Sequence, residues 1–487
     1  MIVNPRYLFE YDEGYQLTGW LFLRLLALIY ASAFVSLTVQ IEGLVGPSGI
    51  LPMGEFLNFQ FIRQGGLAWL STPTLFWLDS SDTALFAATI AGFIFSMLLL
   101  FGLYERLSLI LLFILYLSLY HAGQVFMNFQ WDVLLLETGF LAIFLTKGVN
   151  GLSLLLFHLL LFRLRFLSGL SKIISEDPTW ANLTTLQYYF ETQPLPHFGS
   201  WFAHQLPHWL HVGGTAGVLI AELLIPFFIF LPRRFRITAA VVTIIVQLII
   251  IATSNHNFVN LLTILLCLFL LDDRIIERIM PSRLRNHIFR QTEVARPTIP
   301  GRLIQGVTGG AIIVVSISMA LKLFGGVTLN PQLQQFSQLG SRYGVGHVFH
   351  IFPNMQTERH ELQIEGSYDG TDWQPYIFNY KPQVLDEKPA IHIPHDPRLD
   401  WMIWFVPPQN PQMTGWFHRF MWQLSKNEPK VTALLRENPF EGRAAPRYLR
   451  VLVYRYHFTD WQTKNVTGEW WQRKYLGEFP NVVPRSP

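Results

Sequence analysis

Nine apolar runs, each near the length at which a helix crosses about 30 Å of hydrocarbon, constrain this chain more than any other feature of it. They fall at roughly 17 to 40, 83 to 103, 106 to 121, 130 to 147, 150 to 172, 209 to 231, 236 to 254, 256 to 271 and 302 to 324, with about eight to ten the range once short and closely joined runs are allowed for. Backbone N–H and C=O groups in lipid must be satisfied within the chain, so these runs are predicted as helices of one bundle. Composition agrees, since 51% of the 487 residues are hydrophobic and only 14% are charged, a balance that suits a polytopic membrane protein. With a net charge of +3 and arginines scattered through short connections, nothing points to nucleic acid as a partner, and membrane lipids are the expected surroundings.

Positive charge is distributed unevenly over alternate connections. Arg6, Arg106, Lys147, the group Arg233, Arg234 and Arg236, and the arginines from Arg274 to Arg296 fall on one side of the predicted bundle. Opposite connections are nearly free of Lys and Arg, with Arg63 in the first of them. The positive-inside rule therefore places the N-terminus in the cytoplasm and everything after the ninth helix outside. The opening stretch "MIVNPRYLFEYDEGYQ" is polar and partly acidic, so the first apolar run is expected to act as an uncleaved anchor. Cys267 is the single cysteine, so the chain forms no internal disulfide and cannot by itself carry out dithiol exchange.

The texture changes near residue 330. "ELQIEGSYDGTDWQPYIFNYK" alternates apolar and polar residues around an Asp369-Gly370 turn, a hairpin signature, and "RYLRVLVYRYHF" reads as a further strand. "GWFHRFMWQLSKN" and "PKVTALLREN" read as helices. The expected organisation is a helical membrane domain over 1–329 and a β-sandwich-like extracytoplasmic domain with a helical insert over 330–487. Its tryptophans and tyrosines serve either as core or as an aromatic surface.

Charged residues inside the apolar runs are the candidates for function, because each is costly in hydrocarbon unless paired, neutralised or wetted. "NFQWDVLLLETGFLAIFL" carries Asp132 and Glu137, and the next run carries Arg163, Arg165 and Lys172. At about 1.5 Å per residue, Asp132 lies near the outer surface and Glu137 about 8 to 12 Å deeper. Glu137 is expected to face Arg165 or Arg163, with Asp132 at the level of Lys172. Two readings stay open: these pairs hold helices together, or they line a polar vestibule opening outward. In the second reading the vestibule also takes in Gln130, Trp180, His204, His208, His211, Glu222 and His256, contributed by the outer connections and helix ends. His204, His208 and His211 have the i, i+4, i+7 spacing of a zinc-binding face, but Pro207 interrupts it and no metal site is expected. Lys172, beside apolar "LSGL", is the candidate catalytic base, with Glu137 and Arg165 orienting it, while an opposing Asp132 would keep it charged. A Walker loop, GxGxxG, HExxH or GxSxG is absent, which removes many common enzyme classes, and the sequence names no cofactor.

"FMNFQWDVLLLETGFLAIFL", "GLSKIISEDPTW" followed by "YYFETQPLPHFGSWFAHQLPHW", "ELLIPFFIFLPRR", and the distal "EGSYDGTDWQPYIFNYKP", "PRLDWMIWF" and "NPF" resemble the lipase maturation factor family, over almost the whole chain. The resemblance implies a multi-pass membrane protein that assists the maturation of secreted lipases, resident in animals in the endoplasmic reticulum. The family is distantly similar, in its helical region, to the vitamin K-dependent γ-carboxylase, where a lysine serves as the base that deprotonates reduced vitamin K. By motif position Lys172 is the counterpart of that lysine. The expected function is accordingly a membrane-anchored maturation factor or chaperone for secreted, lipase-like clients. The alternative is a γ-carboxylase-like membrane enzyme acting on a lipid or quinone-type substrate. The chain lacks external cysteines and shows no retrieval signal at "NVVPRSP", so a bacterial inner membrane is also a fitting compartment.

Overall fold

The computed structural model describes residues 8–291, 298–406 and 414–479. Arg6, Arg296 and the "NVVPRSP" stretch, used above for topology and retrieval, lie outside the described residues. Among the described residues seven helices are long and apolar enough to cross a membrane. They contain α1 (Gln16–Thr38), α2 (Asp82–Leu100), α3 (Glu105–Ala122), α5 (Gly151–Phe162), α6 (His208–Leu223), α7 (Arg233–Thr253) and α9 (Ile299–Gly325). The span of α5 continues through a π turn, Arg163–Leu167, and a last helical stretch, Ser168–Ile174.

The two remaining runs are shorter than expected. α4 (Gln130–Ala142) ends in a 3-10 turn, Ile143–Leu145, and α8 (Val259–Leu266) ends in Cys267–Leu270. Both nevertheless pass between the two faces of the bundle. Gln130 bonds the backbone of His350 on one face, whereas Asn150, just after α4, bonds Gln305 on the other. Before α8, Asn255 bonds the carbonyl of Ala390, and after it Asp273 accepts from the amides of Leu17 and Thr18, each at 2.9 Å, at the start of α1. That carboxylate satisfies orphan N-terminal amides and complements the helix dipole. The two segments can be short because protein surrounds them, with Val133 to Leu136 and Leu265 to Cys267 buried, so they need not match the thickness of lipid.

The face that holds Thr38, Ala122, Gln130, Thr253 and Gly325 carries the C-terminal region. Strands β1 (Arg359–Ser367), β2 (Gln374–Pro375), β3 (Tyr448–Phe458) and β4 (Trp471–Glu478) form one antiparallel sheet in the order β2-β1-β3-β4. The turn after β1 is the one the sequence announces: Gly370 has φ 81°, and the Asp369 carboxylate accepts from the amides of Thr371 and Asp372. Helices α10 (Arg398–Ile403) and α11 (Thr414–Ser425) accompany the sheet. Of "PKVTALLREN" only Pro429–Thr432 is helical. The described residues hold a single sheet instead of two facing ones; Phe417 and Phe420 of α11 share a core with Ile364 and Val453 where a sandwich would place a second sheet. That core is continuous with Phe22, Tyr30 and Phe34 of α1, so apolar packing does not stop at the bundle's edge.

Candidate functional site

Two of the three cations of the α5 span, Arg163 and Arg165, lie within its π turn, and Lys172 follows it. Arg163 and Arg165 are two positions apart, about 200° around a helix, and so face different neighbours. Arg163 is paired with Glu137 of α4, as expected for one of the two arginines, and its Nη1 also donates to the carbonyl of His347 at 2.9 Å. The second carboxylate oxygen of Glu137 accepts from the amide of Gly346 at 3.0 Å. Gly346 has φ 72°, so the backbone can turn here to offer that amide.

Arg165 and Lys172 are seven residues apart and lie on the same side of the span. Both reach Glu222 of α6, Lys172 Nζ at 2.7 Å and Arg165 Nη1 at 3.3 Å. Gly169 sits so close to α6 that an added Cβ would lie 2.8 Å from the Cβ of Glu222. Lys172 also donates to the carbonyls of Ile351, 2.8 Å, and Ser168, 3.2 Å, and its ammonium lies 5.2 Å from the centre of the Trp180 ring. The expected pairing of Lys172 with Asp132 is therefore replaced, and the counter-ion of Lys172 is Glu222. The i, i+7 spacing of Arg165 and Lys172 was the signal that a shared partner existed.

Asp132 instead meets a residue 266 positions later. Arg398 donates to both its oxygens at 2.6 Å, and the Tyr116 hydroxyl donates to Oδ1 at 2.6 Å. Arg398 Nε lies 2.9 Å from Asp396, whose carboxylate accepts from the Trp131 indole at 2.8 Å. Burial pushes the Asp396 carboxyl up to about 6, against the opposing pull of Arg398. Arg398 lies in "PRLDWMIWF", but neither its type nor its spacing marks it as the partner of Asp132. A second buried arginine escapes the sequence in the same way. Arg359 of β1 donates to the carbonyls of Glu191, Gln193 and Pro194 and pairs with Glu361 at 2.5 Å.

Among the described residues the outer connections do not converge on an open vestibule. Asp132, Glu137, Arg163, Arg165, Lys172, Trp180, Glu222 and His256 are all more than nine-tenths buried, roofed by the segment from Gly344 to Phe352 and by α10. The three histidines separate: His204 ends the helix Phe198–His204, 3.7 Å from Glu191, His208 bonds Gln187, and His211 bonds the carbonyl of Ala203. Among the described residues no group of three or more His, Cys, Asp or Glu side chains is arranged to hold a metal ion. His256 bonds the Tyr189 hydroxyl at 2.5 Å and packs against Phe352 and Trp401; burial lowers its imidazole to about 3.

Fold and site together define a multi-pass membrane protein whose helical bundle is locked to a β-containing C-terminal region by buried ion pairs and by backbone carbonyls held on membrane-helix cations. The family model described as the lipase maturation factor transmembrane domain matches residues 17–278, and the model for the lipase maturation factor C-terminal domain matches residues 343–481. The chain belongs to the lipase maturation factor family. It is 32% identical to lipase maturation factor 1 of Mus musculus, over 95% of this chain and 86% of that protein. It is likewise 32% identical to lipase maturation factor 1 of Bos taurus, over 95% and 88%, and 30% identical to lipase maturation factor 2 of Xenopus laevis, over 94% and 81%. No solved structure matches.

Proposed function

We propose that the chain is a membrane-anchored maturation factor that assists the folding or assembly of secreted, lipase-like clients, with the unit from about residue 330 onward facing the client on the extracytoplasmic side. Family membership supports the client class, and the alternation of Lys and Arg supports the sidedness. One observation carries the scaffold reading. Intramembrane charge holds the chain together, as Lys172 is fixed by Glu222 and by the Ile351 carbonyl of the C-terminal segment. On this reading Lys172, Glu137, Arg163, Arg165 and Glu222 position the client-facing unit on its anchor. The endoplasmic reticulum, or the inner membrane of a bacterium, is the compartment this implies.

A second reading, a membrane enzyme with Lys172 as base and Glu137 and Arg165 as orienting partners, is favoured by one observation. Arg165 and Lys172 share a single carboxylate, and among the described residues Arg165 Nε and Nη2 have no hydrogen-bond partner, so the cluster carries surplus positive charge of the kind that suits the anionic form of an amphiphile. Client maturation in cells expressing matched amounts of the parent and of Lys172→Met separates the two. The scaffold predicts a loss that tracks the abundance of the variant. Complete loss from a normally abundant Lys172→Met protein overturns it in favour of the enzyme.

A further inference from the structure

At the outer end of α6 the lipid-facing surface does not stop where the membrane helix begins. α6 opens at His208, and its first turn exposes Trp209 at 69%. The preceding turn exposes Phe202 and Leu206, and against Phe202 packs Trp461, the first residue of α12 (Trp461–Thr467), with ring centres 5.6 Å apart. Val466 at the far end of α12 is 81% exposed. The attachment is firm: the Gln205 amide donates to the carbonyl of Thr459, and Trp201 stacks edge-on against both Trp461 and Trp470. Apolar surface thus runs from a membrane helix through Phe202 to Trp461 of the C-terminal region, with Val466 about 140° further around α12.

Lys464 stands in the middle of α12 with its ammonium 3.9 Å from the centre of the Trp470 ring. Tryptophan rings with a lysine ammonium held against them are the composition of a membrane–water boundary. A contiguous exposed apolar patch on a water-soluble surface would be a liability, and here it adjoins a helix that already faces lipid. We propose that Phe202, Leu206, Trp209, Trp461 and Val466, with Lys464, form a lipid-surface contact that seats the C-terminal region in the headgroup layer of its own leaflet. The strip's continuity with the lipid-exposed face of α6 selects a bilayer over a protein as its occupant.

The test uses the full chain in phospholipid nanodiscs. Cys267 is the sole cysteine, so Cys267→Ala gives a thiol-free background in which Val466→Cys carries a bimane label. Thr371→Cys, in the turn after β1, is the water-exposed control. The expected result is loss of bimane emission at position 466 in discs whose lipids are brominated near the headgroup, together with shielding from aqueous iodide, and the reverse at position 371. Trp461→Cys repeats the measurement from the other end of α12. Iodide quenching at 466 and 461 equal to the control, with no effect of brominated lipid, overturns the proposal. Shielding from iodide without bromine quenching overturns it as well, since that marks a protein contact.

Discussion

Arg398 is the residue whose loss the fold should tolerate least. It is fully buried between Asp132 and Asp396, and Arg398→Met would leave two carboxylates facing each other without a counter-ion. Breaking such a pair by removing one partner costs about 3 to 5 kcal/mol, mostly as uncompensated buried charge. The melting temperature of Arg398→Met in detergent should therefore fall steeply, and adding Asp132→Asn should recover part of the loss; strict additivity would show that the two do not interact. Glu137 offers a sharper question, because the sequence left Arg163 and Arg165 as equal candidates. Glu137→Gln should couple to Arg163→Met by roughly 1 to 3 kcal/mol and to Arg165→Met hardly at all, whereas Arg165→Met should couple to Glu222→Gln. Coupling of Glu137 to Arg165 would contradict the pairing of Arg163 with Glu137.

Among the elements, the seam between the C-terminal region and the helix ends is the part most sensitive to pH. The loop Ser254 to Asn257 is wholly buried and bonds Tyr189 and Ala390, while His392 and His395 close the seam against Asn255 and Ser36. Burial lowers His256 and His392 to about 3 and His347 to about 4, and it lowers His197 and His395 as well. An imidazole depressed in the folded state binds its proton more readily in the unfolded state, so stability is intact above about pH 6.5 and falls as the pH drops from there toward the folded values. Each strongly depressed imidazole costs about 1 kcal/mol between pH 7 and pH 5.5. Asp396 and Asp400, which burial raises to about 6, act in the opposite sense, since they take up protons first in the folded state, and they offset part of that loss. The melting temperature should accordingly drop from pH 7 to pH 5.5, and His256→Gln with His392→Gln should flatten the profile. An unchanged slope in the double variant would move the effect elsewhere.

For the whole molecule, seven long helices and two short protein-walled ones make an odd number of passages between the two faces among the described residues. The start of α1 and the sheet therefore lie on opposite faces of the bundle, and the Lys and Arg pattern supports the proposed extracytoplasmic side for the sheet. A periplasmic or lumenal reporter fused after residue 330 should be active, and a cytoplasmic reporter at the same place silent. The opposite result would invert the molecule and remove the proposed client-facing role.

Hydrophobic run length determined the bundle, and period-2 alternation with an Asp-Gly turn determined the hairpin, because both are local consequences of helix rise and strand pleat. The cost of charge in hydrocarbon also made Asp132, Glu137, Arg163, Arg165 and Lys172 conspicuous before any partner was known. Only the tertiary structure assigned the partners. The packing of α4 and α6 on either side of α5 gave Glu137 to Arg163 and Glu222 to Arg165, close packing at Gly169 brought Glu222 to Lys172, and the return of the chain onto the bundle delivered Arg398 to Asp132. None of these is a local property. A buried ion pair is fixed by which side chains meet at one depth, and residues 266 positions apart carry no spacing from which that meeting can be read.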